Sequence, residues 1–353
     1  MRTTLYNPAL HRTALLTAMA TFPLIFMGGL VTSYQAGLSV PDWPNSWGYN
    51  MFLFPPRLWI GGILYEHTHR LMGTVVGMLA ILLTIVAWTT EKRLWVRWLA
   101  IGVLGAVIFQ GVLGGLRVVL LKLDLAIVHA CVAQAFFCLA AFTAIVTSKW
   151  WIGAPDLSNE LDRRAVRRLI GAAIGCVVVI YAQLIVGATM RHYEAGLAIP
   201  DLPLAYGKLL PPTTAAGLRA VNNARIWHLN LSAVTLGQIW LAFAHRIGAL
   251  LVSAIILWTA FVVLRHHRRQ RELVTLAILL LALLVMQITL GVVTVLWRKP
   301  ADVASAHVAT GALALLAAFV LSIRALRIYS PSRQAVQRGF EILTPSNRLA
   351  AAI

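Results

Sequence analysis

Acidic residues are scarce in this chain, 12 Asp and Glu against 30 Lys and Arg in 353 residues, and charged residues of both signs reach only 12%. So little charge cannot keep a domain of this length in water. Cysteine is scarcer still. Cys131, Cys138 and Cys176 all fall in apolar runs, which excludes a disulfide framework or a Cys-x-x-Cys metal site and leaves them as small hydrophobes. What the chain does have is 59% hydrophobic residues and a mean hydropathy of +0.79. These values predict an all-α integral membrane protein. The net charge of +18 is read as loops held against anionic lipid headgroups, with no nucleic acid as partner.

Apolar runs fall at 13–33, 71–90, 98–120, 125–147, 169–190, 247–264, 273–296 and 303–326, most of them long enough to cross about 30 Å of hydrocarbon. The first is longer than a signal-peptide core and is read as an anchor. Eight spans divide into two sets of four, and an even number per set gives both halves one orientation. If the connecting segments alternate sides, 19 of the 30 Lys and Arg collect on the side of the termini. Both termini are therefore expected in the cytoplasm of a multi-pass protein of the cell (inner) membrane. The expected organisation is two tandem pseudo-symmetric four-helix bundles: an N-terminal half over 1–150, a cytoplasmic linker over 151–168, a C-terminal half over 169–326 and a cytoplasmic tail over 327–353. The long outer loops, about 34–68 and 191–243, contain apolar stretches expected to lie on the membrane or cover a site.

The division rests on an internal repeat. Tyr34-Gln-Ala-Gly-Leu-Ser-Val-Pro-Asp-Trp-Pro44 returns as Tyr193-Glu-Ala-Gly-Leu-Ala-Ile-Pro-Asp-Leu-Pro203, identical at seven of eleven positions. Downstream, His69-Arg70 matches His245-Arg246, Gln110-Gly-Val-Leu-Gly114 matches Gln287-Ile-Thr-Leu-Gly291, and His129-Ala matches His307-Val. Each half thus carries two histidines in fixed order, all near the non-cytoplasmic ends of spans, and ionisable groups at such depth usually mark a function. No Cys or Asp accompanies either pair at the spacing that a bare zinc ion requires. A haem needs only axial ligands, so each pair is expected to clamp one haem iron across a four-helix bundle. Arg70 and Arg246 are candidate partners for haem propionates, or snorkelling anchors at the membrane edge.

The repeat breaks at one acid. Glu66 precedes His69 by three residues, whereas Ala242 precedes His245 by three. Glu66 is read either as a group for proton-coupled chemistry beside one haem or as an exposed loop carboxylate. His67 competes with His69 as ligand, although the repeat favours His69. His192, His228, His266 and His267 have no repeat partner and are expected to be ordinary loop histidines.

With its duplicated four-helix halves, the Glu66-x-x-His69-Arg70 entry to the second span, a histidine opening each even-numbered span and the Ala-Gly-Leu-x-x-Pro-Asp-Trp-Pro loop, the chain resembles the haem A synthase family from about residue 15 to 326. The resemblance implies an oxidoreductase that converts the C8 methyl of haem O to the formyl of haem A, with water as oxygen source. It implies His69 and His129 on the substrate haem, Glu66 in catalysis, and His245 and His307 on a resident haem b. The implied partners are haem O synthase as supplier and terminal oxidase assembly factors as recipients. Some members carry a cysteine pair in the first outer loop, but Ser39 to Gly48 has none, so no thiol-dependent step operates here. Two other classes use the same features: a quinol-linked dihaem electron-transfer cytochrome, which would normally place its haems across the membrane, and a solute transporter, suggested by the repeat alone.

Overall fold

A computed structural model describes residues 6–158 and 162–329. The expected tail from residue 330 onward and part of the expected linker, 159–161, lie outside the described residues. Eight long helices are apolar enough to cross a membrane: α1 (Pro8–Ser33), α2 (Gly62–Thr90), α3 (Leu94–Val119), α4 (Leu123–Thr147), α6 (Arg163–His192), α8 (Leu236–His266), α9 (Arg271–Leu296) and α10 (Ala301–Tyr329). Two shorter ones, α5 (Lys149–Ile152) and α7 (Ala215–Trp227), lie outside the spans. Among the described residues there is no β-strand, only two isolated bridges.

Local chemistry sets several helix starts. Asn7 accepts hydrogen bonds from the N–H groups of Ala9 and Leu10 ahead of α1, with Pro8 in the first turn. Thr235 and Gln238 form a reciprocal capping box on α8. All eight long helices begin before their apolar runs, α2 and α8 by the most, at Gly62 rather than 71 and at Leu236 rather than 247. Hydropathy breaks at Arg70 and Arg246, but the helices continue because each guanidinium hydrogen-bonds outer-loop carbonyls. α7 occupies part of the expected second loop. It turns Arg225, only 3% exposed, inward to the carbonyls of Leu197, Ala198 and Ser232.

α1, α2, α3 and α4 pack in a ring, and α6, α8, α9 and α10 pack in a second. The first encloses Leu10, Val76, Leu83, Val96, Val103 and Phe136; the second encloses Leu169, Cys176, Ile180, Ile256, Leu280 and Leu321. Large side chains such as Ile81, Ile85, Leu250, Leu257, Phe261 and Val285 point outward, as hydrocarbon solvent allows. The rings meet where α1 contacts α10 and α4 contacts α6 and α10. Arg191 of α6 donates to the Gly29 carbonyl and to Ser33 Oγ of α1, and Ser33 Oγ lies 3.2 Å from Ser305 Oγ of α10. Gln35 Nε2 donates to Glu194 Oε1 at 3.0 Å. These two residues occupy the same place in the repeat, so the junction lies near a pseudo-two-fold axis.

At the membrane face away from the long loops, Arg324 is 1% exposed. It pairs with Glu272 at 2.6 Å and donates to the Trp150 carbonyl. Hydropathy counts it with the terminal basic residues, but it is a buried, satisfied charge inside α10. Replacing Arg225 with Met is expected to leave three loop carbonyls short of a donor and destabilise the protein by about 1–3 kcal/mol, read as a lower unfolding midpoint in detergent. Replacing the exposed Arg219 in the same way is the control.

Candidate functional site

The four repeat histidines stand six to nine residues into α2, α4, α8 and α10, about two turns from the face that carries the long loops. His69 faces His129 with ring centres 6.4 Å apart, and His245 faces His307 at the same 6.4 Å. His67 turns away. It packs on Phe54 and Trp59, and its Nδ1 lies 3.2 Å from Ser46 Oγ beneath the first loop. Geometry therefore brings together the four histidines that the repeat singled out.

Each ring rests against a glycine of the preceding long helix. A Cβ at Gly28 would come within 3.1 Å of His69 Cε1, one at Gly114 within 3.1 Å of His129, one at Gly187 within 3.1 Å of His245 and one at Gly291 within 3.2 Å of His307. Glutamines stand four residues before three of these glycines. Gln110 Nε2 donates to the His129 carbonyl at 3.1 Å, Gln183 Nε2 donates to the His245 carbonyl at 2.7 Å, and Gln287 Nε2 lies 3.4 Å from His307 Nε2. The histidines were legible as polar breaks in apolar runs. The glycines and Gln183 were not, although the spacing Gln-x-x-x-Gly in α3, α6 and α9 was a signal available in the sequence.

What fits such a pair? Among the described residues no group of three His, Cys, Asp or Glu could hold a metal ion, so a bare ion lacks its usual protein ligands. Haem brings four equatorial donors of its own. The 6.4 Å between ring centres matches two metal–nitrogen bonds of about 2 Å each plus two ring radii. Nδ1 of His69, His129 and His307 is buried without a hydrogen bond of ordinary geometry, while the backbone carbonyls of Leu24, Gln110 and Gln287 lie beside those rings. Such a carbonyl fixes the tautomer in which Nε2 is the free ligand. The residues present fit a haem at each pair.

The outer loops repeat in three dimensions beyond the sequence match. Asp42 accepts from the N–H groups of Trp47 and Gly48, and Asp201 accepts from those of Tyr206 and Gly207. Trp47 and Tyr206 both have positive φ, 52° and 56°, and the bridges Ser46–Tyr49 and Ala205–Lys208 correspond. Arg70 donates to the carbonyls of Val40, Asp42 and Asn45 and to Glu66; Arg246 donates to those of Ile199 and Leu204. Both arginines therefore clamp their loops, neither being a mere interfacial anchor. Trp43 extends over α3 and packs on Gly115, next to the glycine that supports His129.

Beneath these similar loops the halves differ. Glu66 is 2% exposed, which rules out an exposed loop carboxylate. Its Oε2 accepts from the Val40 N–H at 2.9 Å and its Oε1 from Arg70 at 2.8 Å. Arg117, whose Nη2 donates to the Gly37 carbonyl, lies close enough to interact electrostatically with Glu66, His69 and His129. Glu66, His67 and Ser46 are buried polar residues in one half, and the repeat places Ala242, Phe243 and Ala205 in the other. Two expected loop histidines also move inward. His192 ends α6, its Nδ1 2.8 Å from the Ala188 carbonyl, and His267 is buried with its Nδ1 2.8 Å from Tyr329 Oη.

Burial tends to raise the pKa of Asp42, but the N–H groups of Gly48 and Trp47, its own N–H and the Arg70 charge outweigh this and hold it below its ordinary value. A depressed carboxyl pKa stabilises the fold above the unfolded-state value and loses that contribution as pH falls through the folded one. The first outer loop is therefore expected to loosen only below the ordinary carboxylate range, seen as a change in tryptophan fluorescence; Asp42→Asn, which cannot titrate, is expected to abolish that change and to show the loosened signal already at neutral pH. Gly187→Val is expected to displace His245 and remove the absorbance of a haem bound there. Gly171→Val, where a Cβ meets nothing within 4 Å, leaves it intact.

The family model described as cytochrome oxidase assembly protein, COX15-CtaA, matches residues 62–320. Among curated proteins, the chain is 26% identical to a heme A synthase of Shouchella clausii over 82% of this chain and 88% of that protein. It is 24% identical to one of Shewanella oneidensis, over 85% and 92% respectively. It is 26% identical to one of Halalkalibacterium halodurans, over 83% and 89%. With most of its length under the family model, the chain belongs to the COX15-CtaA family of cytochrome oxidase assembly proteins.

Proposed function

We propose that this chain is a haem A synthase that oxidises the C8 methyl of haem O to a formyl group. The observation that carries this reading is the asymmetry between two otherwise matched histidine pairs: Glu66 stands buried beside one of them, and Ala242 replaces it beside the other. His69 and His129 hold the substrate haem, His245 and His307 hold a resident haem b, and each four-helix half is one functional unit. When bound, the resident haem supplies one-electron redox capacity.

The overall change is R–CH₃ + H₂O → R–CHO + 4 H⁺ + 4 e⁻, with water as the oxygen source. The residues of the first half perform the positioning and the proton chemistry. Gly28 and Gly114 let α1 and α3 approach closely enough to seat both imidazoles. The first outer loop, tied down by Arg70 and reaching α3 through Trp43, limits entry of bulk water. Glu66 is held by the Val40 N–H and Arg70, so its carboxylate is oriented in advance for taking up a proton or facing a developing positive charge. Arg246 commits two N–H donors to its loop and retains others for a propionate. Arg70 commits four of five and so acts mainly through the loop. The positive-inside distribution supports cytoplasmic termini and, with them, haem sites toward the non-cytoplasmic side of the cell membrane. Haem O synthase as donor and terminal oxidase assembly factors as acceptors complete the reading.

The test is pigment content of the purified protein after expression with and without a haem O synthase. Haem b alone is expected without it, joined by haem O, oxidised derivatives and haem A with it. Two equivalents of haem b in both cases overturn the reading in favour of an electron-transfer cytochrome. Glu66→Gln, which preserves the volume and an acceptor for Arg70, is expected to lower haem A formation about 100-fold or more with both haems still bound; unchanged formation removes Glu66 from the chemistry.

A further inference from the structure

The four histidine seats are alike except in one position. Four residues before each supporting glycine stand Gln110 for His129, Gln183 for His245 and Gln287 for His307, and Leu24 for His69. Gln110 and Gln183 tie the backbone carbonyl of their histidine, Gln183 Nε2 also lies 3.0 Å from His245 Nδ1, and Gln287 Nε2 stands 3.4 Å from His307 Nε2, the nitrogen that would face the iron. Leu24 instead packs against the apolar cluster of its own half. Among the described residues no side chain hydrogen-bonds His69; its Nδ1 lies beside the Leu24 carbonyl as those of His129 and His307 lie beside the Gln110 and Gln287 carbonyls, so the side chain at position 24 is what differs. A glutamine thus stands against both histidines of one pair, and against only one of the other.

From this we infer that Leu24 makes His69 the yielding ligand, through which substrate haem enters and product haem leaves the first half while His129 remains fixed. This rests on the proposed function, since only a synthase must release one of its two haems at every turnover. The bond that breaks is the one from His69 Nε2 to the iron. Its electron pair stays on the neutral imidazole, no atom is oxidised or reduced, and the iron is left with one open axial position. Leu24, Gln110, Gln183 and Gln287 are positioning residues in this scheme, because they act on the histidines and not on the reacting methyl group.

The experiment uses the full chain loaded with haem O and follows transfer of that haem to excess apomyoglobin by its Soret absorbance. A hydrogen bond of ordinary strength changes such a rate by about two- to tenfold. Leu24→Gln is expected to slow release from the first half by that factor. Leu24→Met, of similar volume without a donor, is expected to release at the wild-type rate. Gln110→Leu gives an arm that inserts no new polar group and is expected to speed release. The same contrast should appear in carbon monoxide binding to the reduced first-half haem, slowed by Leu24→Gln and not by Leu24→Met. Equal release rates for wild type, Leu24→Gln and Gln110→Leu, all with haem bound, overturn the inference and leave the proposed function standing. Slowing by Leu24→Met to the same extent as by Leu24→Gln overturns it as well, since packing would then be the cause. A wild-type chain that takes up no haem O at His69 and His129 instead removes the functional reading, and the inference with it.

Discussion

The contact on which the site depends is that of an imidazole edge with a glycine one helix away. Four such contacts recur, at Gly28, Gly114, Gly187 and Gly291, where an added Cβ would come within 3.1 to 3.2 Å of the histidine Cε1. In hydrocarbon no hydrophobic force drives helices together, so close approach at small residues and dispersion between surfaces must hold the bundle. The contact serves assembly and chemistry together: it sets the distance between the long helices and holds the ring so that its free edge faces its partner across the bundle. Much of the remaining structure keeps these rings in place. The outer loops close the end of each ring of helices, and the half-buried Arg191 joins the two halves with donors to α1.

Part of this arrangement can be read from the residues alone. Eight spans, their division into two sets and the pairing of His69 with His129 and of His245 with His307 follow from hydropathy and an internal repeat, because a polar residue in an apolar run is conspicuous. The starts of α2 and α8 were hidden by Arg70 and Arg246, since hydropathy sees a charge and not the carbonyls that satisfy it. α7 was missed because its apolar side faces the loop instead of lipid and its inward Arg225 reads as a surface residue. The glycine seats were illegible for a different reason. Glycine is common in membrane helices, the chain has 25 of them, and beyond the Gln-x-x-x-Gly spacing only the packing distinguishes Gly187, which supports a ring, from Gly171, where a Cβ would meet nothing within 4 Å.

Glu66 shows how much a local sequence reading leaves undecided. Spacing alone allowed an exposed carboxylate. The fold buries it because the loop turns back and presents the Val40 N–H, and because Arg70, one turn further along α2, reaches both the acid and the loop. An ionised group so deep is tolerable only with such partners. In the second half Arg246 keeps its grip on the loop while Ala242 removes the acid. The clamp is thus separable from the carboxylate, and the scaffold is common to both halves while the polar interior belongs to one.

The touching of Gln35 and Glu194 has a consequence for ancestry. Two residues that hold the same place in the repeat meet each other, and α1 lies against α10 as α6 lies against α4. A single four-helix unit pairing with a copy of itself would make these contacts isologously, each patch meeting its own image. The present junction has the form that such a homodimer would keep if one gene came to encode both subunits. A fusion of that kind would free the two copies from identity, so that a buried acid such as Glu66 in one half need not be matched in the other.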